Sequence, residues 1–174
     1  RADRADHRSP RGDAVIRGCA IVVGDDVNTD LLHPSYFFSL DAKTVRKGFM
    51  GAVTSVDARD EDKSRVIVAG RNFGCGSSRE TTMTALKLAG VRGVVAESFG
   101  RIFFRNAMSL GMTARTVPSL KGFATAGDAL CISGNELHNE RTGAALPLDP
   151  LDPFWEAVLT AGGLIPFLTT RGDL

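Results

Sequence analysis

The order of apolar and polar positions divides the chain into short buried-type strands and amphipathic helices. Gly18 to Val23 (GCAIVV) is an apolar run leading into the polar Gly24-Asp25-Asp26, which reads as a strand entering a loop. The segment VNTDLLHPSYFFSL that follows reads as loop, and Asp41 to Met50 as a short helix. Residues 57 to 64 (DARDEDKS) are a charge cluster, read as a solvated connection. Val66 to Gly70 (VIVAG) is a buried-type strand, followed by the glycine-rich turn Arg71 to Ser77 (RNFGCGS). Ser78 to Ala89 has helical spacing, with Met83, Leu86 and Ala89 on one face and Gly90 where a C-terminal cap belongs. Val91 to Ala96 is a second buried-type strand. Ser98 is placed to cap a further helix, in which Phe99, Ile102, Phe103, Asn106, Ala107 and Leu110 form a packing face that Gly111 ends. Strand, helix and strand at this spacing predict a βαβ unit with a parallel strand pair.

The last third changes character. Ala129 to Ser133, Leu137 to Asn139 and Ala144 to Leu148 read as short strands, with Glu140-Arg141-Thr142-Gly143 turning between the last two. Asp152-Pro153 opens a helix, Asp as cap and Pro at its first position, that runs to Ala161 and stops at Gly162-Gly163. Leu164 to Leu168 reads as a final apolar strand. Nothing between residues 13 and 170 resembles a linker, so 13–174 is expected to be one α/β domain. The segment 1–12 (RADRADHRSPRG) is expected to be a disordered tail, since it lacks the apolar centre of a secretory signal.

Composition narrows the function. At 174 residues, 43% hydrophobic and 24% charged, the chain can bury a sizeable core without disulfides. Twenty-one basic against 20 acidic side chains give a net charge of +1, which offers no support for nucleic-acid or acidic-lipid binding. The three cysteines, Cys19, Cys75 and Cys131, form no C-x-x-C, so neither a zinc ribbon nor a thioredoxin motif is present. A reducing cytoplasm is the simplest setting. No apolar run approaches the ~18 residues of a membrane span.

The chemistry concentrates in Asn72-Phe73-Gly74-Cys75-Gly76-Ser77-Ser78-Arg79-Glu80. Glycines let a backbone approach a ligand and turn its N–H groups inward, and a helix N-terminus attracts anions. Arg79 adds a donor fork suited to a carboxylate or phosphate. Ser77-x-x-Glu80 is equally a capping box, in which Ser77 would only cap the helix, worth about 1 kcal/mol. A phosphate-binding P-loop is excluded because no Gly-Lys-Ser/Thr follows, and Arg79 stands where a dinucleotide fingerprint needs its third glycine. A serine hydrolase lacks its G-x-S-x-G, and the histidines are only His7, His33 and His138. A carboxylate or phosphate ligand without a nucleotide fits best.

GRNFGCGSSRE, followed after a helix by GVVAESFGRIFFRNAMSLGM, resembles the small subunit of 3-isopropylmalate dehydratase, the swivelling domain of the aconitase superfamily. Upstream, GDDVNTDLLHP resembles the family's first signature. Downstream, TGAALPLDPLDPFWEAVLTAGGLIPFL resembles its closing stretch. The matches occur in family order and cover residues 17 to 170. Thr81-Thr82 departs from the family's usual His-Ala.

The resemblance implies a swivelling β/β/α domain with a mixed sheet around a central βαβ unit. It implies a hydro-lyase that dehydrates and rehydrates a hydroxy di- or tricarboxylate, isomerising 2- and 3-isopropylmalate in leucine biosynthesis. The partner would be a large subunit whose cysteines hold a four-iron, four-sulfur cluster, so this chain alone would be inactive and would bind no metal itself. Carried over by position, Ser77 is the base that removes a proton alpha to a carboxylate, Arg79 binds a substrate carboxylate, and Asp30 orients polar groups in the site. Ser78 and Thr29 are expected to contact substrate. Cys75 has no role there and reads as a small buried filler. Tyr36, Phe37 and Phe38 occupy the place where relatives vary with substrate, and their apolar character suits an alkyl side chain. Alternatively both phenylalanines pack in the core. The other readings are a methylmalate or dimethylmalate hydro-lyase subunit and a carboxylate-binding domain without catalysis.

Overall fold

The computed structural model describes residues 15–49, 63–77 and 80–172. The expected tail 1–12, Met50, most of the charge cluster 57–64, and Ser78 and Arg79 lie outside the described residues.

Seven strands among them make one mixed sheet: β1 (Ile16–Val22), β2 (Arg65–Ala69), β3 (Val91–Ala96), β4 (Thr113–Thr116), β5 (Ala129–Ser133), β6 (Glu136–Asn139) and β7 (Ala145–Pro147), in the order β4-β3-β2-β1-β5-β6-β7. The first four run parallel, with Cys19 opposite Arg65 and Val66 opposite Gly93. β1, β5, β6 and β7 then pair antiparallel, with Arg17, Cys131, His138 and Ala145 in one cross-strand row. The central βαβ unit is β2, α3 (Glu80–Leu88) and β3, and α4 (Arg101–Ser109) leads on to β4.

β2 is buried at all its positions, as expected of a parallel strand covered on both faces. Alternation along it builds two cores. Ile67 and Ala69 face Met83 and Leu86 of α3 and Phe103, Ala107 and Met108 of α4. Val66 and Val68 face the opposite way, with Leu120, Phe123, Leu130, Ile132 and Leu137. Each valine, leucine, isoleucine, phenylalanine or methionine side chain taken fully out of water contributes about 1.5–3 kcal/mol.

Two buried arginines tie these layers together. Arg65, 3% exposed, donates Nη1 to the carbonyls of Lys63 (3.1 Å) and Ala89, placing a cation just past the end of α3. Arg115 donates to Gly134 O, Asn135 Oδ1 and Asp149 O at 3.0, 2.6 and 2.8 Å. Ahead of β5, Asp128 accepts from Thr125, Asn139 and Arg141. These bonds, that from Arg141 foremost, hold its carboxyl far below the usual carboxylate range.

Several expectations need correction. Leu164 to Leu168 is not a strand: α6 spans Leu164–Arg171. Leu164, Phe167 and Leu168 are half-buried while Ile165, Pro166 and Thr169 are exposed, which is helical spacing. Phe167 meets Phe154 of α5 (Pro153–Thr160) edge to face at 5.7 Å. Ser98 does not cap α4, whose N-cap is Gly100. The segment read wholly as loop after β1 contains α1 (Thr29–Leu32) and a 3-10 turn, Ser35–Phe37. Helix α2 (Ala42–Lys47) is capped by Asp41, whose carboxylate accepts from the Lys43 and Thr44 amides.

Candidate active site

Strands β1, β2 and β3 end together, and the loops that leave their carboxyl ends meet, where open parallel sheets commonly bind ligands. The loop after β1 and the loop after β2 are laced along their length. Gly70 N donates to Gly24 O (3.2 Å), Asp26 N to Arg71 O (2.8 Å), Gly74 N to Val27 O (2.8 Å) and Thr29 N to Cys75 O (3.0 Å). Side chains repeat the pattern. Asp25 accepts from the Arg71 amide at 2.8 Å and from its guanidinium at 3.0 and 3.3 Å. The Arg71 amide first, and then its guanidinium, hold the Asp25 carboxyl below the usual range. Asn72 Nδ2 donates to Asp26 Oδ1 at 2.8 Å.

Asp26 and Asn72 adopt left-handed backbone, with φ of 56° and 58°. Asp and Asn tolerate this region better than other side chains that carry a Cβ. Each residue turns its loop sharply at the corresponding point after its strand, and their side chains bond to one another.

The third loop supports the second from beneath. Ser98 Oγ accepts from Asn72 N at 2.8 Å, and Phe73 N donates to Ser98 O at 3.0 Å. Phe73 is fully buried, edge to face with Phe103 at 5.1 Å, and Phe103 stacks on Phe99 at 6.1 Å. Gly74, with φ of 73°, lies against this cluster so closely that a Cβ there would sit 2.2 Å from Phe103 Cγ. Gly74 is therefore a packing requirement as well as a conformational one.

Ser77 emerges exposed at the end of this laced loop. Its carbonyl accepts from the Thr29 hydroxyl at 2.9 Å. Among the described residues the Ser77 hydroxyl has no hydrogen-bond partner. Asn28 caps α1, its Oδ1 accepting from Leu31 N at 2.9 Å, and the next two residues are Thr29, 3% exposed, and Asp30, exposed. The expected residues Ser77, Thr29 and Asp30 thus share the carboxyl edge of the sheet. Ser78 and Arg79 lie outside the described residues.

The aromatic turn stands beyond α1. Tyr36 is 76% and Phe38 37% exposed, so neither belongs to the core; Phe37 is half-buried, 4.6 Å from Tyr36. Phe38 packs on the buried His33 at 5.2 Å, and His33 Nε2 bonds Val45 O at 3.0 Å. Cys75 is half-buried rather than buried, its Sγ 3.7 Å from Asp26 O. Asp26, Asn72 and Ser98 were not singled out as partners by sequence reasoning. The signal for the first two is the matched pair Gly-Asp-Asp and Gly-Arg-Asn directly after neighbouring strands.

A family model described as "Aconitase C-terminal domain" matches residues 40–118, from just after the aromatic turn through β4. A 3-isopropylmalate dehydratase small subunit from Pyrobaculum neutrophilum is 43% identical over 159 residues, covering 90% of this chain and 98% of that protein. One from Moorella thermoacetica is 37% identical over 160 residues, covering 90% and 96%. The chain belongs to the 3-isopropylmalate dehydratase small-subunit family.

The fold agrees with that membership. The crystal structure of the 3-isopropylmalate dehydratase from Methanocaldococcus jannaschii superposes with a TM-score of 0.82 at 31% identity, covering 92% of this chain and 96% of that one. This member of the dehydratase small-subunit family gathers no group of three His, Cys, Asp or Glu that could hold a metal, among the described residues. Cys19 lies on β1, Cys131 on β5 and Cys75 in the loop after β2. The described residues therefore do not assemble ligands for an iron–sulfur cluster.

Proposed function

We propose that this chain is the small subunit of a hydro-lyase that interconverts 2- and 3-isopropylmalate, and that it supplies the base to a site shared with a large subunit. The observation that carries the reading is Ser77 itself: a hydroxyl without a hydrogen-bond partner among the described residues, exposed at the tip of a doubly braced loop, on a chain of this family. Asp30 and Gly76 are exposed on the same edge of the sheet, which supports a site that this chain would share with a partner.

The iron–sulfur cluster is, in this reading, the large subunit's, and supplies Lewis acidity when bound there. This chain's part is proton transfer and orientation. Ser77 Oγ, acting as the alkoxide, takes the proton from the carbon alpha to a carboxylate and becomes the neutral hydroxyl. The C–H electron pair becomes the C=C bond as the C–O bond on the adjacent carbon breaks, and the departing hydroxide takes a proton from solvent and leaves as water. Return of the proton with water added in the opposite sense gives the isomer. Arg79 binds a substrate carboxylate through its planar fork, and Ser78 lies next to the base. Asp30 orients polar groups at the rim. A serine hydroxyl is a weak base near neutral pH, so its activation rests on positioning and a local positive field.

The exposed aromatic turn at Tyr36, Phe37 and Phe38 offers apolar surface for an alkyl group and no charge for a third carboxylate. The same surface fits the smaller alkyl of methylmalate, which is the second reading.

The test is turnover by the anaerobically reconstituted complex with a large subunit, followed by ultraviolet absorbance of the unsaturated acid. 3-Isopropylmalate and (R)-2-methylmalate are assayed side by side. Turnover only with both chains present is expected, with 3-isopropylmalate preferred. Ser77→Ala is expected to lower kcat about 100- to 10,000-fold, the usual worth of a positioned general base, with an unchanged urea midpoint. Near-wild-type turnover by that variant refutes the base assignment.

A further inference from the structure

We infer that Thr29 is a positioning residue, which fixes the Ser77 backbone instead of touching substrate. This rests on the proposed role of Ser77 and deepens it. Thr29 is 3% exposed, which leaves its side chain almost no surface to offer a ligand. Its two donors are both spent on the catalytic loop: the amide on Cys75 O at 3.0 Å and the hydroxyl on Ser77 O at 2.9 Å. The two bonds straddle Gly76, whose φ is 100° and at which an added Cβ would lie 3.4 Å from Thr29 Oγ1. A glycine here gives the loop its turn but no stiffness, because it populates many backbone states. Thr29 closes that freedom from both sides.

Thr29 itself cannot drift. Asn28 before it forms a parallel bridge with Cys75, and behind that bridge Asp26 and Asn72 are cross-bonded in left-handed backbone. The hydroxyl of Thr29 is the last rung of this lacing, and the next group along the loop is the base. A displacement of about 1 Å in a reacting group can cost on the order of 100-fold in rate, so one rung carries kinetic weight far beyond its share of stability.

The test compares Thr29→Val, which keeps the shape and removes the donor, with Thr29→Ser, which keeps the donor. In the reconstituted complex, Thr29→Val is expected to lower kcat at least tenfold with KM changed less than about twofold, and Thr29→Ser to restore most of kcat. A rise in KM at constant kcat would make Thr29 a substrate contact and overturn the inference, and an unchanged kcat would also overturn it. The second readout needs no activity. In the isolated chain, hydrogen exchange of the amides at position 29 and Gly74, which donate to Cys75 O and Val27 O across the two loops, is expected to quicken in Thr29→Val while β2 and β3 exchange as in the wild type. Unchanged exchange at those two amides, or faster exchange throughout, refutes the positioning role. If the wild-type complex turns over neither acid, the proposed function fails by itself, and the exchange result still decides whether Thr29 holds Ser77.

Discussion

Replacing Gly74 by alanine tests whether the aromatic cluster shapes the loop that carries Ser77. Two penalties add at this position. Left-handed backbone costs an L-residue about 1–2 kcal/mol. The new methyl would also stand 2.2 Å from Phe103 Cγ and 2.4 Å from its Cδ2, well inside contact distance. Phe103 is 2% exposed and held between Phe73 and Phe99, so its ring cannot swing clear. Overpacking of such a core costs roughly 1–3 kcal/mol, which brings the total to about 2–5 kcal/mol. Gly143 supplies the control: its φ is 74°, nearly that of Gly74, and a Cβ there meets nothing within 4 Å. Gly143→Ala should therefore cost only the backbone share. The assay is urea unfolding followed by circular dichroism, for both variants and for Phe103→Leu alone and combined with Gly74→Ala. A favourable coupling of at least ~1 kcal/mol between Gly74→Ala and Phe103→Leu is expected, since the smaller side chain makes room. Equal costs for Gly74→Ala and Gly143→Ala, or no coupling, would show that the loop does not rest on the ring as described.

Two further outcomes follow from groups in the described core. Thr82 is fully buried on α3 and its hydroxyl has no hydrogen-bond partner among the described residues, so Thr82→Val should stabilise by about 1–2 kcal/mol and raise the melting temperature roughly 2–8 °C; a fall would reveal a partner for the hydroxyl. Asp128, with its carboxyl held far below the usual range in the fold, contributes stability that is fully present above the unfolded-state value of about 3.9 and is lost as pH falls from there towards the folded-state value. The urea midpoint of the wild type should drop between pH 5 and pH 3, and Asp128→Asn should start lower at pH 7 and show a shallower drop; equal acid slopes would remove Asp128 from the account.

What the sequence disclosed follows from where the information is local. The strands β2 and β3 and the helix between them were legible because VIVAG is an apolar run closed by glycine, and VRGVVA, which follows Gly90, is apolar but for Arg92 and Gly93. Strand β4 was not, because Thr113–Thr116 places two threonines and an arginine in a strand whose buried arginine is satisfied by distant carbonyls. α6 was read as a strand because five apolar residues in a row carry no period of their own. α1 is four residues long, too short for any periodicity. At the site, the glycines and Ser77 stood out by composition alone, whereas the function of Thr29 did not. Its burial and both its bonds are made by a segment 46 to 48 residues further along the chain.

That separation has a consequence for how the catalytic loop comes into being. The rungs between the two loops join residues far apart in sequence, whereas β2, α3 and β3 contact one another within a span of about thirty. Loop-closure entropy favours the nearer contacts first. The strand–helix–strand unit can therefore condense while β1 is still unpaired, but in that state Ser77 has neither Thr29 nor the Asp26–Asn72 cross-bond to hold it. On the role proposed for Ser77, the base is thus a product of the last long-range docking step, and a molecule in which β1 has come away from β2 would be catalytically silent even with its central unit intact.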